Sequence, residues 1–287
     1  MRALVVAGAQ AFTRARLHFG QGTDNAFDEA AWLVAHALRL PLPIPRAAWK
    51  QPVAARMAAR ARALFTRRIA RHEPAAYLTG EAWFAGRPYH VNRHVLVPRS
   101  PFAELIARRF KPWLRRPPRR ILDLGTGSGC IAIGCALAFP RAEVDAVDIS
   151  PQALAVARRN ARRHGVESRL RCLHSDVFSG LTGERYDLIV SNPPYVPLRE
   201  MRDLAPEYRH EPALALAAGP DGLSVADRIL AAAAEHLTEA GLLAVEVGQS
   251  APALQRRHRH LPFIWPELTQ GGDGIFLLER SSLPANA

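Results

Sequence analysis

Downstream of Arg120 the chain alternates short apolar runs with longer segments of helical period. The runs fall at 121–125, 142–147, 169–174, 186–191 and 241–247, each of strand length and separated from the next by a helix-forming stretch. That alternation predicts an α/β fold built on a mainly parallel sheet. Two last runs, 262–268 and 274–279, flank Gly271 and Gly272 and predict a closing hairpin. Residues 196–222 carry many prolines and charges without a clear period, as expected of a lid over a site or of a structural excursion.

Upstream of Arg120 the pattern differs. Asp24 or Asn25 is placed to cap a helix with Phe27, Ala31, Val34 and Leu38 on one face, and Pro41, Pro43 and Pro45 end it. A further helix is predicted over 53–71. Its apolar side carries Met57, Ala61, Leu64, Phe65 and Ile69, and Arg56, Arg60, Arg67 and Arg71 form a neighbouring row. From 75 to 101 short strands punctuated by Gly80, Gly86 and Pro88 predict a hairpin. The expected division is a helical, substrate-recognising region at 1–74, a β-hairpin linker at 75–101 and the α/β catalytic domain at 102–287.

Candidate chemistry sits at two strand ends. Ile121-Leu122-Asp123-Leu124-Gly125-Thr126-Gly127-Ser128-Gly129-Cys130 is a strand that breaks into glycines and enters a helix. Such a turn lets a dinucleotide, a phosphate or an adenosyl group lie against bare amides at a helix N-terminus. The next strand ends in Asp148-Ile149, roughly 20 residues on, where a carboxylate can accept from both ribose hydroxyls. Asp123 would repel a pyrophosphate but accept from a sulfonium amino acid, which favours S-adenosylmethionine. After the third strand, Asp176 and Val177 are placed to accept from an adenine amine and cover its ring. Taken singly, each aspartate is also explained as a helix cap or strand end.

The second strand end is Asn192-Pro193-Pro194-Tyr195, directly after Tyr186-Asp187-Leu188-Ile189-Val190. Amide and aryl-amine nitrogens are poor nucleophiles because the lone pair is delocalised. An enzyme must therefore hold the NH2 group by its hydrogens and leave the lone pair aimed at the methyl donor. Asn192 offers a side-chain carbonyl and Pro193 a backbone one. The two prolines lock φ and stiffen the loop, and Tyr195 can stack on a planar group.

At these residues the chain resembles the ribosomal and release-factor glutamine N5-methyltransferases. Further likeness lies in Gly22-Thr23-Asp24-Asn25, Tyr77-Leu78-Thr79, Val95-Leu96-Val97-Pro98-Arg99-Ser100-Pro101, Glu207-Tyr208-Arg209-His210-Glu211-Pro212 and Gly271-Gly272-Asp273-Gly274. These look like the branch that methylates a glutamine of large-subunit ribosomal protein three. The release-factor branch tends to have Pro-Arg-Pro-Asp-Thr-Glu where this chain has Pro98-Arg99-Ser100-Pro101-Phe102-Ala103-Glu104. The resemblance implies a class I S-adenosylmethionine-dependent methyltransferase fold, Rossmann-like with an antiparallel final strand. It implies that Asn192 and the Pro193 carbonyl hold the substrate amide. It also implies that Gly125, Thr126, Gly127, Gly129, Asp148 and the Asp176 region hold the cofactor. Arg99, Ser100 and Phe102 are expected to help select the protein substrate, with Arg209 and His210 beside them; an ordinary helix start explains the first three equally well.

Composition changes this picture little. The net charge of +12 and pI near 10.8 suit an acidic partner such as ribosomal RNA. Only Lys50 and Lys111 among the 38 basic residues are lysine, however, a bias that codon usage explains as well as binding does. The row Arg56, Arg60, Arg67 and Arg71 is a candidate RNA contact, though a solvated helix face is the simpler account. Cys130, Cys135 and Cys172 lack metal-ligand spacing and read as reduced core thiols, as in a cytoplasmic protein. The opening apolar stretch is short and runs into Arg14 and Arg16, unlike a signal peptide, and no run approaches a membrane span. The rival readings are a release-factor glutamine methyltransferase, a DNA or RNA amino-base methyltransferase and a non-catalytic ribosome-assembly factor.

Overall fold

The computed structural model describes residues 1–269 and 274–284. At the N-terminus three helices pack together: α1 (Arg2–Arg14), α2 (Ala26–Leu38) and α3 (Ala55–Arg71). Asn25 caps α2 by accepting from the Asp28 amide at 2.9 Å, and left-handed Arg39 ends it. Gly8 lets α1 and α3 approach, since a Cβ there would lie 2.6 Å from the Phe65 ring. The short α4 (Ala75–Thr79) leads into an antiparallel pair, β1 (Glu81–Phe84) and β2 (Arg87–His90).

Beyond α5 (Phe102–Ala107) strands and helices alternate: β3 (Arg120–Leu124), α6 (Cys130–Ala138), β4 (Glu143–Asp148), α7 (Pro151–Arg163), β5 (Leu170–His174), β6 (Tyr186–Ser191), α8 (Ser224–His236), β7 (Leu237–Glu246), α9 (Ala251–Arg257) and β8 (Ile275–Glu279). The sheet order is β5-β4-β3-β6-β7-β8, parallel except for the final antiparallel strand. Both faces are covered, so each strand's alternate residues feed two cores. Ile121, Leu188, Ala244 and Leu277 face α5 and α6, whereas Leu122, Ile189, Val245 and Phe276 face α8 and α9. A third core joins α1, α2 and α3 to the hairpin and to Ala153 and Val156 of α7.

The expected closing hairpin requires correction. Among the described residues of that run only Ile264 bridges to β8, while β8 pairs along its length with β7. Pro262 and Pro266 lack the amide hydrogens a ladder needs; Gly271 and Gly272 lie outside the described residues. The excursion at 196–222 forms short 3-10 turns bonded back on themselves, Val196 to Leu216 and Leu198 to Gly219, and is a fastened strap rather than an unstructured loop.

Chain order reverses between β3 and β6: β4 and β5 extend to one side of β3, and β7 and β8 lie beyond β6. Crevices open at such switch points, at the strands' carboxyl ends. Leu124 is in register with Ser191, so the glycine loop and the Asn-Pro-Pro-Tyr hook emerge side by side.

Candidate active site

A cavity of about 300 Å3 lies at that crevice. Its lining includes Gly125, Thr126, Gly127, Asp148, Ile149, Asp176, Val177, Asn192 and Pro193. Positive φ at Gly125 and Gly127 turns bare backbone toward it, and a Cβ on either would meet nothing nearer than 4.0 Å. The neighbour at that distance from Gly125 is the Asn192 carbonyl oxygen, which brings the two motifs together.

Asp148 at the end of β4 accepts from the Gly127 amide at 2.9 Å and the Ser150 amide at 2.8 Å. Burial raises its pKa, and these amides pull it back. The carboxylate is thus held at the cavity wall with lone pairs to spare. Ile149 and Val177 add apolar surface, and Asp176 pairs with Arg228 of α8 at 2.9 Å. Room over bare backbone, a fixed carboxylate and apolar walls for a flat ring together fit the adenosyl group expected from the sequence.

Two expected contacts prove to be supports. Asp123 is fully buried beneath the loop, outside the cavity wall. Its Oδ2 accepts from Thr126 at 2.7 Å and from the Ala132 amide at 3.0 Å, closing the loop onto α6, while Oδ1 has no partner. Burial pushes this carboxyl up to about 7. Gly129 packs against Ala157, 3.1 Å from where its Cβ would be, and so sets the approach of α6 to α7. A strand-end position alone does not tell whether a side chain points up at a ligand or down into the loop.

The hook leaves β6 after Ser191, whose hydroxyl donates to the Leu124 carbonyl at 2.8 Å and ties it to the glycine strand. Asn192 lines both this cavity and a second one of about 470 Å3 that also takes in Tyr195, Val196, Arg199, Glu200, Tyr208 and Arg256. Among the described residues neither the Asn192 side chain nor the Pro193 carbonyl has a hydrogen-bond partner. Two acceptors are therefore free on residues lining the first cavity, and Asn192 borders the second as well. Tyr195, expected to stack on a planar group, borders the second cavity with its hydroxyl turned to Glu246 at 3.3 Å.

The expected substrate-selecting residues divide. Phe102 is completely buried against Phe110 and cannot touch a substrate protein. Ser100 is buried and donates to Glu246 at 2.5 Å. Arg99 borders both cavities, but its guanidinium is held by Glu211 at 2.6 and 2.7 Å and lies over Tyr208, 5.3 Å from the ring centre. His210 meets the Arg71 carbonyl at 2.7 Å, and Arg209 is exposed.

Comparison with known proteins settles the family. The methyltransferase small domain family matches residues 103–208, and the PrmC N-terminal domain family residues 10–80. A ribosomal protein uL3 glutamine methyltransferase of Bordetella pertussis is 45% identical, covering 99% of this chain and 96% of that one. Its counterpart in Xanthomonas campestris pv. campestris is 47% identical, covering 99% and 92%. This chain belongs to the ribosomal protein uL3 glutamine methyltransferase family. Its fold is that of the class I methyltransferases. The hMettl16 catalytic domain in complex with MAT2A 3′UTR hairpin 6 superposes with a TM-score of 0.53 at 16% identity, covering 78% of this chain and 80% of that one, a likeness of fold alone.

Several buried residues that brace the segments around the cavities had no motif to announce them. Asn160 of α7, completely buried, donates to the carbonyls of Ser128 at 2.8 Å and His90 at 2.9 Å, joining loop to hairpin. Arg68 of α3 is equally buried between Glu29 at 2.6 Å and Glu207 of the strap at 2.9 Å. Burial raises Glu29. At Glu207 burial also pushes upward, but hydrogen bonds from Arg68 and His72 prevail and lower it. The signal for Arg68 was its spacing, since Ala61, Phe65 and Arg68 share one helix face. Glu246 is the lone charge in an apolar strand segment, a signal of the same kind.

Proposed function

We propose that this protein transfers a methyl group from S-adenosylmethionine to the side-chain amide nitrogen of a glutamine in ribosomal protein uL3. The observation that carries this reading is the pair of free acceptors, the Asn192 side-chain carbonyl and the Pro193 carbonyl, on residues that line the same cavity as Gly125. The full-length likeness to relatives bearing that name supports the choice of substrate.

The residues act by binding and orienting. Gly125, Gly127 and Asp148 would hold S-adenosylmethionine, with Ile149 and Val177 against its adenine; bound there, it supplies an activated methyl group. Asn192 and Pro193 accept from the two hydrogens of the glutamine amide, which leaves the nitrogen lone pair directed at the donor. A strong base is unnecessary, because the amide proton becomes acidic only as nitrogen is alkylated. Residues 1–74 and 75–101 serve as recognition region and linker. Among the described residues no helix is long and apolar enough to cross a membrane, and we place the reaction in the cytoplasm, where ribosomal proteins are made.

The exposed row Arg56, Arg60 and Arg71, with Arg67 bound to Glu73 at 2.8 Å, is the proposed contact for ribosomal RNA on an assembling particle. Replacing the four arginines by glutamine should reduce activity on such particles more than on free uL3, most at low salt. Equal activity on both at every salt concentration removes the contact.

The deciding experiment incubates the protein with labelled S-adenosylmethionine and unmodified uL3, a release factor or naked RNA, and locates the methyl group by mass spectrometry. Methyl on a glutamine of uL3 is the expected result. Methyl on the release factor or on a base overturns the substrate assignment.

A further inference from the structure

The last residue of the hook is locked from three directions. On β7, Glu246 is 5% exposed in an otherwise apolar segment. Its Oε1 accepts from the Tyr195 hydroxyl at 3.3 Å, and its Oε2 accepts from Ser100 at 2.5 Å. Behind it, a Cβ on Gly248 would lie 2.7 Å from the Tyr195 ring, and one on Gly222 would lie 2.3 Å from the Tyr195 carbonyl oxygen. Ser250 donates to that same carbonyl at 2.9 Å. Gly274 closes the stack, since a Cβ there would strike the Gly248 backbone at 2.4 Å. Segments near residues 222 and 246–250 thus converge on Tyr195, with residue 100 joined through Glu246; Tyr195 lines the second cavity and not the first.

We propose that Glu246 is a positioning residue for methyl transfer, fixing Tyr195 and Ser100 so that Asn192 and the Pro193 carbonyl present their acceptors in a single orientation. The mechanical link is Pro193-Pro194. Each ring removes the soft φ torsion, so a shift at Tyr195 is passed back along stiff backbone to Asn192 instead of being absorbed. Misplacement of an orienting group by about 1 Å costs on the order of 100-fold in rate. Through Ser100 the same carboxylate holds the segment that carries Arg99, which borders both cavities. The activity arm of this proposal rests on the glutamine-methylation reading; its structural arm does not.

The test compares Glu246→Ala, Glu246→Gln and Tyr195→Phe in the full-length protein. Steady-state kinetics on uL3, calorimetric affinity for S-adenosylmethionine and hydrogen exchange at the Tyr195 and Val196 amides are read for each. Glu246→Ala should lower kcat by about 100-fold, leave KM for uL3 and cofactor Kd within about threefold, and speed exchange at both amides. Glutamine keeps one acceptor for Ser100 and can donate to the Tyr195 oxygen, so Glu246→Gln should recover to within about tenfold of the parent. Tyr195→Phe, which removes one oxygen and keeps the ring, serves if the alanine variant does not fold; it should lower kcat by about tenfold at parental cofactor affinity. Parental kcat in Glu246→Ala or Tyr195→Phe, a loss confined to KM, or unchanged exchange in Glu246→Ala overturns the proposal. If the parent methylates no glutamine, the functional reading fails while the exchange measurement still decides this one.

Discussion

The glycine loop and the hook stand side by side at the ends of β3 and β6, but they are held differently. The loop is braced from nearby in sequence: Asp123 bonds Thr126 and the Ala132 amide, and Asp148 from the adjoining strand bonds Gly127. The hook and its strap are braced from far away. Glu246 and Ser100 hold Tyr195, Glu211 holds Arg99, and Arg68 of the N-terminal helices holds Glu207. The proposed cofactor loop thus leans mainly on its own and the adjoining strand, with Asn160 of α7 tying Ser128 to the hairpin. The part proposed to orient the acceptor draws on segments far apart in the chain, including the N-terminal helices.

The largest effect should come from breaking the brace to the N-terminal helices. Arg68→Met leaves the Glu29 and Glu207 carboxylates buried without their common partner and should cost about 3–5 kcal/mol, read by urea unfolding. A loss below about 1 kcal/mol would mean the strap is not secured through the N-terminal helices. Next, Asn192→Ala should reduce turnover about 100-fold while cofactor affinity stays within a few-fold. Weaker cofactor binding with intact turnover would erase the division between the two halves. Asp148→Ala should do the opposite, weakening S-adenosylmethionine about tenfold or more by calorimetry with little change in thermal stability.

A further effect concerns pH. The Asp123 carboxyl titrates near 7 when folded against an ordinary value of 3.8. Its contribution to stability is complete below about 4 and is lost as pH rises through 7. Asp123→Asn removes that descent, so from pH 5 to 8 the variant should gain on the parent, whatever its offset at pH 5. Parallel stability curves would place the folded pKa of Asp123 near its ordinary value.

The parallel sheet and both motif positions were legible because strand length, glycine punctuation and hydrophobic period are local properties. The ends of β4 and β6 came within a residue of the expected ones, and Asn25 caps α2 as anticipated. Side-chain direction was not legible. Phe102, Gly129 and Asp123 lie beside the site in sequence but turn into the packing. Glu246 and Arg68, with no motif around them, are buried and hold Tyr195 and Glu207.

The chain's own order of residues determined the α/β architecture, the glycine turn after β3 and the stiff Asn-Pro-Pro-Tyr hook after β6. Each of these depends on φ restriction, hydrophobic period and hydrogen-bonding groups within one short segment. Tertiary structure alone decided which carboxylates face the cavity, and that the strap is fastened rather than free. It also decided that Tyr195 is bolted to Glu246. These outcomes depend on which distant side chains share a desolvated space, where a buried charge must find its partner regardless of sequence separation.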